Sequence, residues 1–302
     1  MLAKDKLFEH QNKNLWNPPS YLKYRQFVVV IKQNFKILVR QNSILMINLK
    51  KLSLLFFGVF AFCVKQSYQI PMDSDAEFVK IQALDNHVYL IEDYNYWKTN
   101  SLFYISNTNV YFFSSGWSNK SAEQILWKAK TLTFLPFTGL FLIAPDLDFS
   151  GGIQQFAEEQ VPIYIQKDGY EVLTSNWIKW QTEMKKKFIS WKYTESIPTI
   201  TGVIESKLEL ENQNILLFYP DKIVSEGNLI LYLKNEQILY AGNILNHPNE
   251  YILNLNENQK KSLLELIKKL NNLPIRYIIT GKGSPIYNKN LLNTIYDFYN
   301  KY

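Results

Sequence analysis

Phe141-Leu-Ile-Ala144-Pro145-Asp146-Leu147-Asp148-Phe149-Ser150-Gly151-Gly152-Ile153 is the stretch on which the fold turns. The uninterrupted apolar run predicts a strand over Leu140–Ala144, since such a run suits a strand covered on both faces. Two aspartates follow in a loop, and Gly151–Gly152 predicts the start of a helix whose amino end faces that loop. Crevices at strand ends are where α/β sheets gather ligand-binding side chains.

The flanks repeat the alternation of strand and helix. Upstream, Phe78–Gln82 and Val88–Glu92 read as paired strands. Leu102–Ile105 and Val110–Phe113 flank the polar turn Ser106–Asn109 as a hairpin. A helix over Ser118–Leu132 opens with Ser118 or Asn119 as N-cap. Downstream come a strand at Pro162–Gln166 and a mostly helical Gly169–Trp191. Leu208–Leu210, Ile215–Tyr219, Leu229–Leu233 and Gln237–Ala241 read as strands, followed by an amphipathic helix at Gln259–Leu270. A strand at Arg276–Thr280 and a helix at Asn288–Tyr299 close the chain. Two halves, each of strands then a helix, predict an α/β protein with two sheets packed together and helices outside.

Composition narrows the function. The 302 residues are 47% hydrophobic and 20% charged, with 11 Gly and 11 Pro, which excludes a disordered or low-complexity chain. One cysteine excludes a disulfide framework, and three histidines (His10, His87, His247) leave little material for a histidine-built metal site. The net charge of +6 is misplaced for a nucleic-acid protein: residues 1–63 hold ten Lys/Arg and two Asp/Glu, so the rest is close to neutral.

That basic end has the pattern of an export segment. Lys50-Lys51 precede the apolar run Leu52-Ser-Leu-Leu-Phe-Phe-Gly-Val-Phe-Ala-Phe-Cys-Val64, too short for a comfortable membrane span. Residues 46–63 are read as a signal peptide or N-terminal anchor, with Ala61 and Cys63 as small residues before a cut. Residues 1–45 are read as an upstream leader or a mis-assigned start ahead of Met46, and 70–302 as the folded domain. The expected location is exported, either periplasmic or anchored facing the periplasm, with membrane contact only through the N-terminal segment.

The Asp-x-Asp-x-x-Gly-Gly loop resembles that of the metallo-β-lactamase superfamily, His-x-His-x-Asp-(His/Arg)-x-Gly-Gly. The resemblance continues through the opening strands and Tyr111-Phe-Phe-Ser-Ser-Gly-Trp117. It extends to Phe218–Leu233, to Ile238-Leu-Tyr-Ala-Gly-Asn243 and to Ile278-Ile-Thr-Gly-Lys282-Gly-Ser-Pro285, in family order over about 80–285. It implies a four-layer αββα sandwich. It also implies a zinc site whose ligands fail here one by one. Ala144 and Asp146 stand at the first two histidine positions, and Phe149 where a His or Arg follows the family aspartate. Val224 stands at the third histidine, Asn243 at the Cys or Asp, and Lys282 at the last histidine. Only Asp148 matches.

Alanine, valine and phenylalanine donate nothing to zinc, and an ammonium repels it. No zinc or other cofactor is therefore expected. Asp146, Asp148, Asn243 and Lys282 remain as ligand-cleft candidates. Lys282 pairs with the aspartates if it converges on their cleft; a weak hard-cation site or an acid–base pair are the alternatives. His247 is the histidine nearest in sequence to this cleft's turns, and His87 reads as a turn residue. Lys185–Lys187, on a helix taken to include Trp177, Trp180 and Trp191, reads as a solvated face. The expectation is a non-catalytic protein of the cell envelope that binds a small molecule or an envelope protein. The alternative is a lactamase-like hydrolase with altered ligands.

Overall fold

In β4 (Val110–Phe113), Val110 and Phe112 point into one apolar cluster while Tyr111 and Phe113 point into another. Successive strand side chains face opposite sides, so a strand apolar at every position must be covered twice. The same split recurs in β5 (Phe137–Leu142), where Leu140 and Leu142 face one cluster and Phe141 the other. It recurs again in β10 (Ile230–Leu233), where Ile230 and Tyr232 oppose Leu231 and Leu233.

The computed structural model describes residues 79–94, 98–188, 191–192 and 194–301. The segments read as leader (1–45) and signal or anchor (46–63), and the start of the domain at 70, lie outside the described residues. One sheet has seven strands in the order β1-β2-β3-β4-β5-β6-β7. Besides β4 and β5, these are β1 (Val79–Ala83), β2 (Val88–Asp93), β3 (Thr99–Ile105), β6 (Ile163–Gln166) and β7 (Gly202–Ile204). Neighbours are antiparallel from β1 to β4 and parallel from β4 to β7. The other sheet runs β13-β12-β11-β10-β9-β8. It comprises β8 (Lys207–Leu210), β9 (Ile215–Phe218), β10, β11 (Ile238–Tyr240), β12 (Tyr277–Ile279) and β13 (Ile286–Tyr287).

Three of the apolar clusters separate four layers. Helices α1 (Asn119–Leu132), α3 (Ile153–Glu158) and α4 (Lys167–Lys187) cover the first sheet through Ile125, Phe156 and Trp177. Tyr104, Phe113, Phe141, Leu217, Leu231 and Tyr240 fill the space between the sheets. Helices α5 (Glu257–Leu270) and α6 (Asn290–Lys301) cover the second sheet with Leu263, Ile267, Leu292 and Ile295. The architecture is the expected αββα sandwich.

Several local expectations are corrected. The strand before the aspartates is Phe137–Leu142, not Leu140–Ala144. Ile143 leaves the first sheet's ladder, and its carbonyl accepts the Leu229 N–H at 2.7 Å. The aspartate loop is itself a helical turn, α2 (Leu147–Ser150), because the Asp146 carbonyl accepts the Phe149 and Ser150 amides. The next helix therefore begins at Ile153, after the glycines. α4 ends at Lys187, so Trp191 lies beyond it, held by its indole N–H on Gln181 Oε1 at 2.9 Å. The strands β7 and β13 were not read from the sequence. Each is very short and is defined by its partner across the sheet.

Candidate functional site

Two glycine-dependent contacts bring the strand ends together. A Cβ on Gly151 would lie 1.8 Å from the Trp117 carbonyl oxygen, and one on Gly152 would lie 2.5 Å from that of Ser115. Only glycines let the turn after Asp148 rest on the Ser115–Trp117 backbone. There the Ser115 amide donates to the Phe149 carbonyl at 2.9 Å, and the Gly152 amide to Ser115 Oγ at 3.0 Å. In the second sheet, Gly242 takes a left-handed φ of +49°, and the Gly281 amide donates to its carbonyl at 2.8 Å. A Cβ on Gly281 would lie 2.5 Å from Gly242 C. The Asn243 and Lys282 turns are thus stacked backbone on backbone.

Lys282 is held from several sides. Its amide donates to Asn246 Oδ1 at 3.3 Å, and Asn246 Nδ2 donates to the Asn243 carbonyl at 2.9 Å. Asn100 ties the same loop to β3: its Nδ2 donates to the Thr280 carbonyl at 3.0 Å and to that of Gly283 at 3.1 Å. Lys282 Nζ reaches Asp148 Oδ2 at 2.6 Å, with the two side chains only 14% and 13% exposed. The ammonium also lies 5.1 Å from the centre of the Tyr251 ring.

Asp146 completes the group. Asn243 Nδ2 donates to Asp146 Oδ2 at 3.3 Å, while Asn243 Oδ1 is buried without a protein hydrogen-bond partner. Burial pushes the Asp146 carboxyl up to about 6; the neighbouring Asp148 adds to this, and Lys282 and Asn243 oppose it. Because the folded value exceeds the unfolded one, this group binds more protons in the native state between about pH 4 and 6. Its contribution therefore favours the fold in acid and is lost as pH rises through 6, by up to roughly 2–3 kcal/mol. Asp146→Asn is expected to raise stability at pH 7.5 relative to the parent and to show little gain at pH 4.5. Denaturant midpoints at the two pH values check this, and an unchanged difference between them would refute it.

The four cleft candidates, Asp146, Asp148, Asn243 and Lys282, thus meet at one point. Of the other positions named from the resemblance, Ala144 is fully buried, and the Phe149 ring is buried against Gly281. Val224 packs on the core beneath the second sheet. His247 is stacked on Tyr287 with ring centres 5.4 Å apart. There Glu250 accepts from Ser284 Oγ and from Tyr287 Oη, both at 2.7 Å. His87 uses Nδ1 to donate to the Ile105 carbonyl at 2.9 Å, consistent with its reading as a turn residue. Asn100, Asn246 and Tyr251 were missed by sequence reasoning; their roles depend on chain crossings that no local motif marks.

No family model matches the chain. Solved structures do. TMB-1 aligns with a TM-score of 0.57 at 16% identity, covering 75% of this chain and 99% of its own. DIM-1 metallo-β-lactamase gives 0.59 at 15% identity over 74% and 98%. VMB-1 gives 0.56 at 16% identity over 75% and 98%. The chain has the metallo-β-lactamase fold.

That fold implies zinc, and these residues do not fit it. A catalytic zinc needs about three nitrogen, sulfur or carboxylate donors and an open position. Here one carboxylate is engaged by an ammonium, and buried Ala144 and Phe149 offer no donor atom. Among the described residues, no three His, Cys, Asp or Glu side chains are grouped so as to hold a metal ion.

Proposed function

We propose that this is a non-catalytic protein of the cell envelope that uses the former metal cleft to bind a ligand or partner without zinc. The observation that carries the reading is the Lys282–Asp148 ion pair, which puts a fixed cationic charge beside the family aspartate. An ammonium neutralises that aspartate but has no vacant coordination position. It cannot lower the pKa of a water towards 7, which is how a zinc hydrolase makes its nucleophile.

The cleft retains recognition chemistry. Asp146 is a half-buried carboxyl at this cleft, beside Asn243. A partly exposed carboxyl favours a ligand that brings an N–H or O–H group. The Tyr251 ring, 41% exposed, offers apolar surface next to the Lys282 ammonium. An envelope location rests on the basic n-region and apolar run at 50–64.

The rival reading is a hydrolase that uses Asp146 and Asp148 as an acid–base pair, favoured by the raised Asp146 carboxyl. One experiment separates the two. The purified chain is incubated with a chromogenic cephalosporin, with and without added zinc and chelator. The proposal expects turnover no faster than the uncatalysed blank in every arm. Chelator-sensitive turnover would restore zinc hydrolysis. Zinc-independent turnover abolished by Asp146→Asn would establish the acid–base enzyme.

A further inference from the structure

Four turns, β1–β2, β3–β4, β8–β9 and β10–β11, surround an open cavity of about 600 Å³. It is separate from the Lys282 cleft. Asn100, near the start of β3, ties to the Lys282 loop, whereas the cavity takes Tyr104 and Ser106 from the strand's other end. Every residue lining it has a polar side chain.

The floor is a fixed hydrogen-bonded group. Asn214 Nδ2 donates to Tyr104 Oη and to Glu236 Oε2, both at 3.1 Å. Tyr104 Oη donates to Glu236 Oε1 at 3.2 Å, and Asn214 Oδ1 accepts the Asn235 amide at 2.8 Å. A second carboxylate, Glu211, accepts from Tyr111 Oη at 2.5 Å and from Asn109 Nδ2 at 3.0 Å. Neutral groups therefore hold both glutamates in place. Both are half-buried, and a carboxylate has about four acceptor positions, so each keeps capacity for a ligand.

We propose that this cavity binds a neutral saccharide. The exposed amides of Asn107, Asn212, Gln213 and Asn235 and the Lys234 ammonium share its lining with the two glutamates. An ammonium ligand only donates, so it would use the carboxylates and leave the amide N–H groups and Lys234 without a role. An anion only accepts, and it would face two carboxylates. A hydroxyl does both, so a polyhydroxylated ligand uses the whole lining. An apolar ligand would find no aliphatic residue to pack on.

The β8–β9 turn supplies the second argument. Glu211, Asn212 and Gln213 take left-handed φ values of +50°, +51° and +69°. Glycine enters this region without steric cost and is favoured in tight hairpin turns. The chain instead keeps three side chains there, and all three line the cavity. Strain of this kind gathers where side chains are needed for binding. The inference does not depend on how the Asp146–Lys282 cleft is read.

The test titrates the full-length chain with maltose, cellobiose and N,N′-diacetylchitobiose, and separately with spermidine, reading saturation transfer to each by NMR. At least one disaccharide is expected to receive saturation at millimolar concentration, and spermidine is expected neither to bind nor to displace it. Asn212→Gly with Gln213→Gly should bind that sugar about tenfold more weakly, because two side-chain hydrogen bonds are lost. Glycine suits the left-handed backbone, so the thermal midpoint should stay close to the parent's, which separates lost binding from lost folding. Asn235→Ala, outside the strained turn, should weaken binding several-fold as an independent check. The proposal is overturned if none of the three sugars receives saturation, or if spermidine binds in their place. Sugar held by these variants as tightly as by the parent would also overturn it, since the bound sugar would then lie elsewhere.

Discussion

Lys282→Met is expected to destabilise the protein by about 3 kcal/mol, read as a lower denaturant midpoint at unchanged slope. The ammonium sits 2.6 Å from Asp148 Oδ2, and both side chains are mostly buried. Removing one member of a buried pair leaves the other charge without its partner, which typically costs about 3–5 kcal/mol. Residual exposure places this case at the lower end. Asp146, already pushed up by burial and by Asp148, loses a stabilising neighbour at the same time. The cation over the Tyr251 ring adds a smaller loss, about 0.5–1 kcal/mol. Adding Asp148→Leu to Lys282→Met is expected to recover most of the stability, because an apolar pair of similar size avoids the buried charge. A single variant as stable as the parent would mean that the ion pair does not hold the cleft together.

Gly151→Ala is expected to cost more than about 4 kcal/mol or to prevent folding, read from soluble yield and thermal midpoint. The added methyl would sit 1.8 Å from the Trp117 carbonyl oxygen and 2.5 Å from its carbon, neither of which is a flexible side-chain end. To accommodate it, α2 must move away from the Ser115–Trp117 loop, breaking the Ser115–Phe149 and Gly152–Ser115 hydrogen bonds. The displacement carries Asp146 and Asp148 with it. Gly139→Ala is a useful control: the atoms nearest its methyl would belong to the rings of Phe141 and Tyr164, 2.9 and 3.2 Å away. These approaches are longer than 1.8 Å and involve side chains rather than backbone, so the control is expected to lose less.

The layered fold was legible because inner strands such as β4 (Val110-Tyr-Phe-Phe113) and β10 (Ile230-Leu-Tyr-Leu233) are apolar at every position, and such strands require cover on both faces. The Gly151–Gly152 pair was legible for a similar reason, since a close backbone approach tolerates no side chain. β7 and β13 were not legible: Gly202–Ile204 and Ile286–Tyr287 are too short for a pattern and form only by pairing with β6 and β12. The helical turn at Leu147–Ser150 was hidden because Pro145 and two aspartates read as a loop, while the bonds that close it run to the Asp146 carbonyl. In the site, the absence of zinc donors at Ala144, Phe149 and Val224 could be read directly from residue type. The hold on Lys282 could not. Asn100 reaches its loop across 180 residues of sequence, and Asn246 enters through a turn with no distinctive motif.

The most direct test of the central proposal, that this cleft works without zinc because Lys282 pairs with Asp148, is the zinc stoichiometry of the full-length chain. Protein equilibrated with excess zinc and then passed through a desalting column should retain far less than one equivalent. Its thermal midpoint should not move, since a ligand bound to the native state alone must raise it. One or more tightly held equivalents, with a midpoint raised by zinc and restored by chelator, would contradict the account.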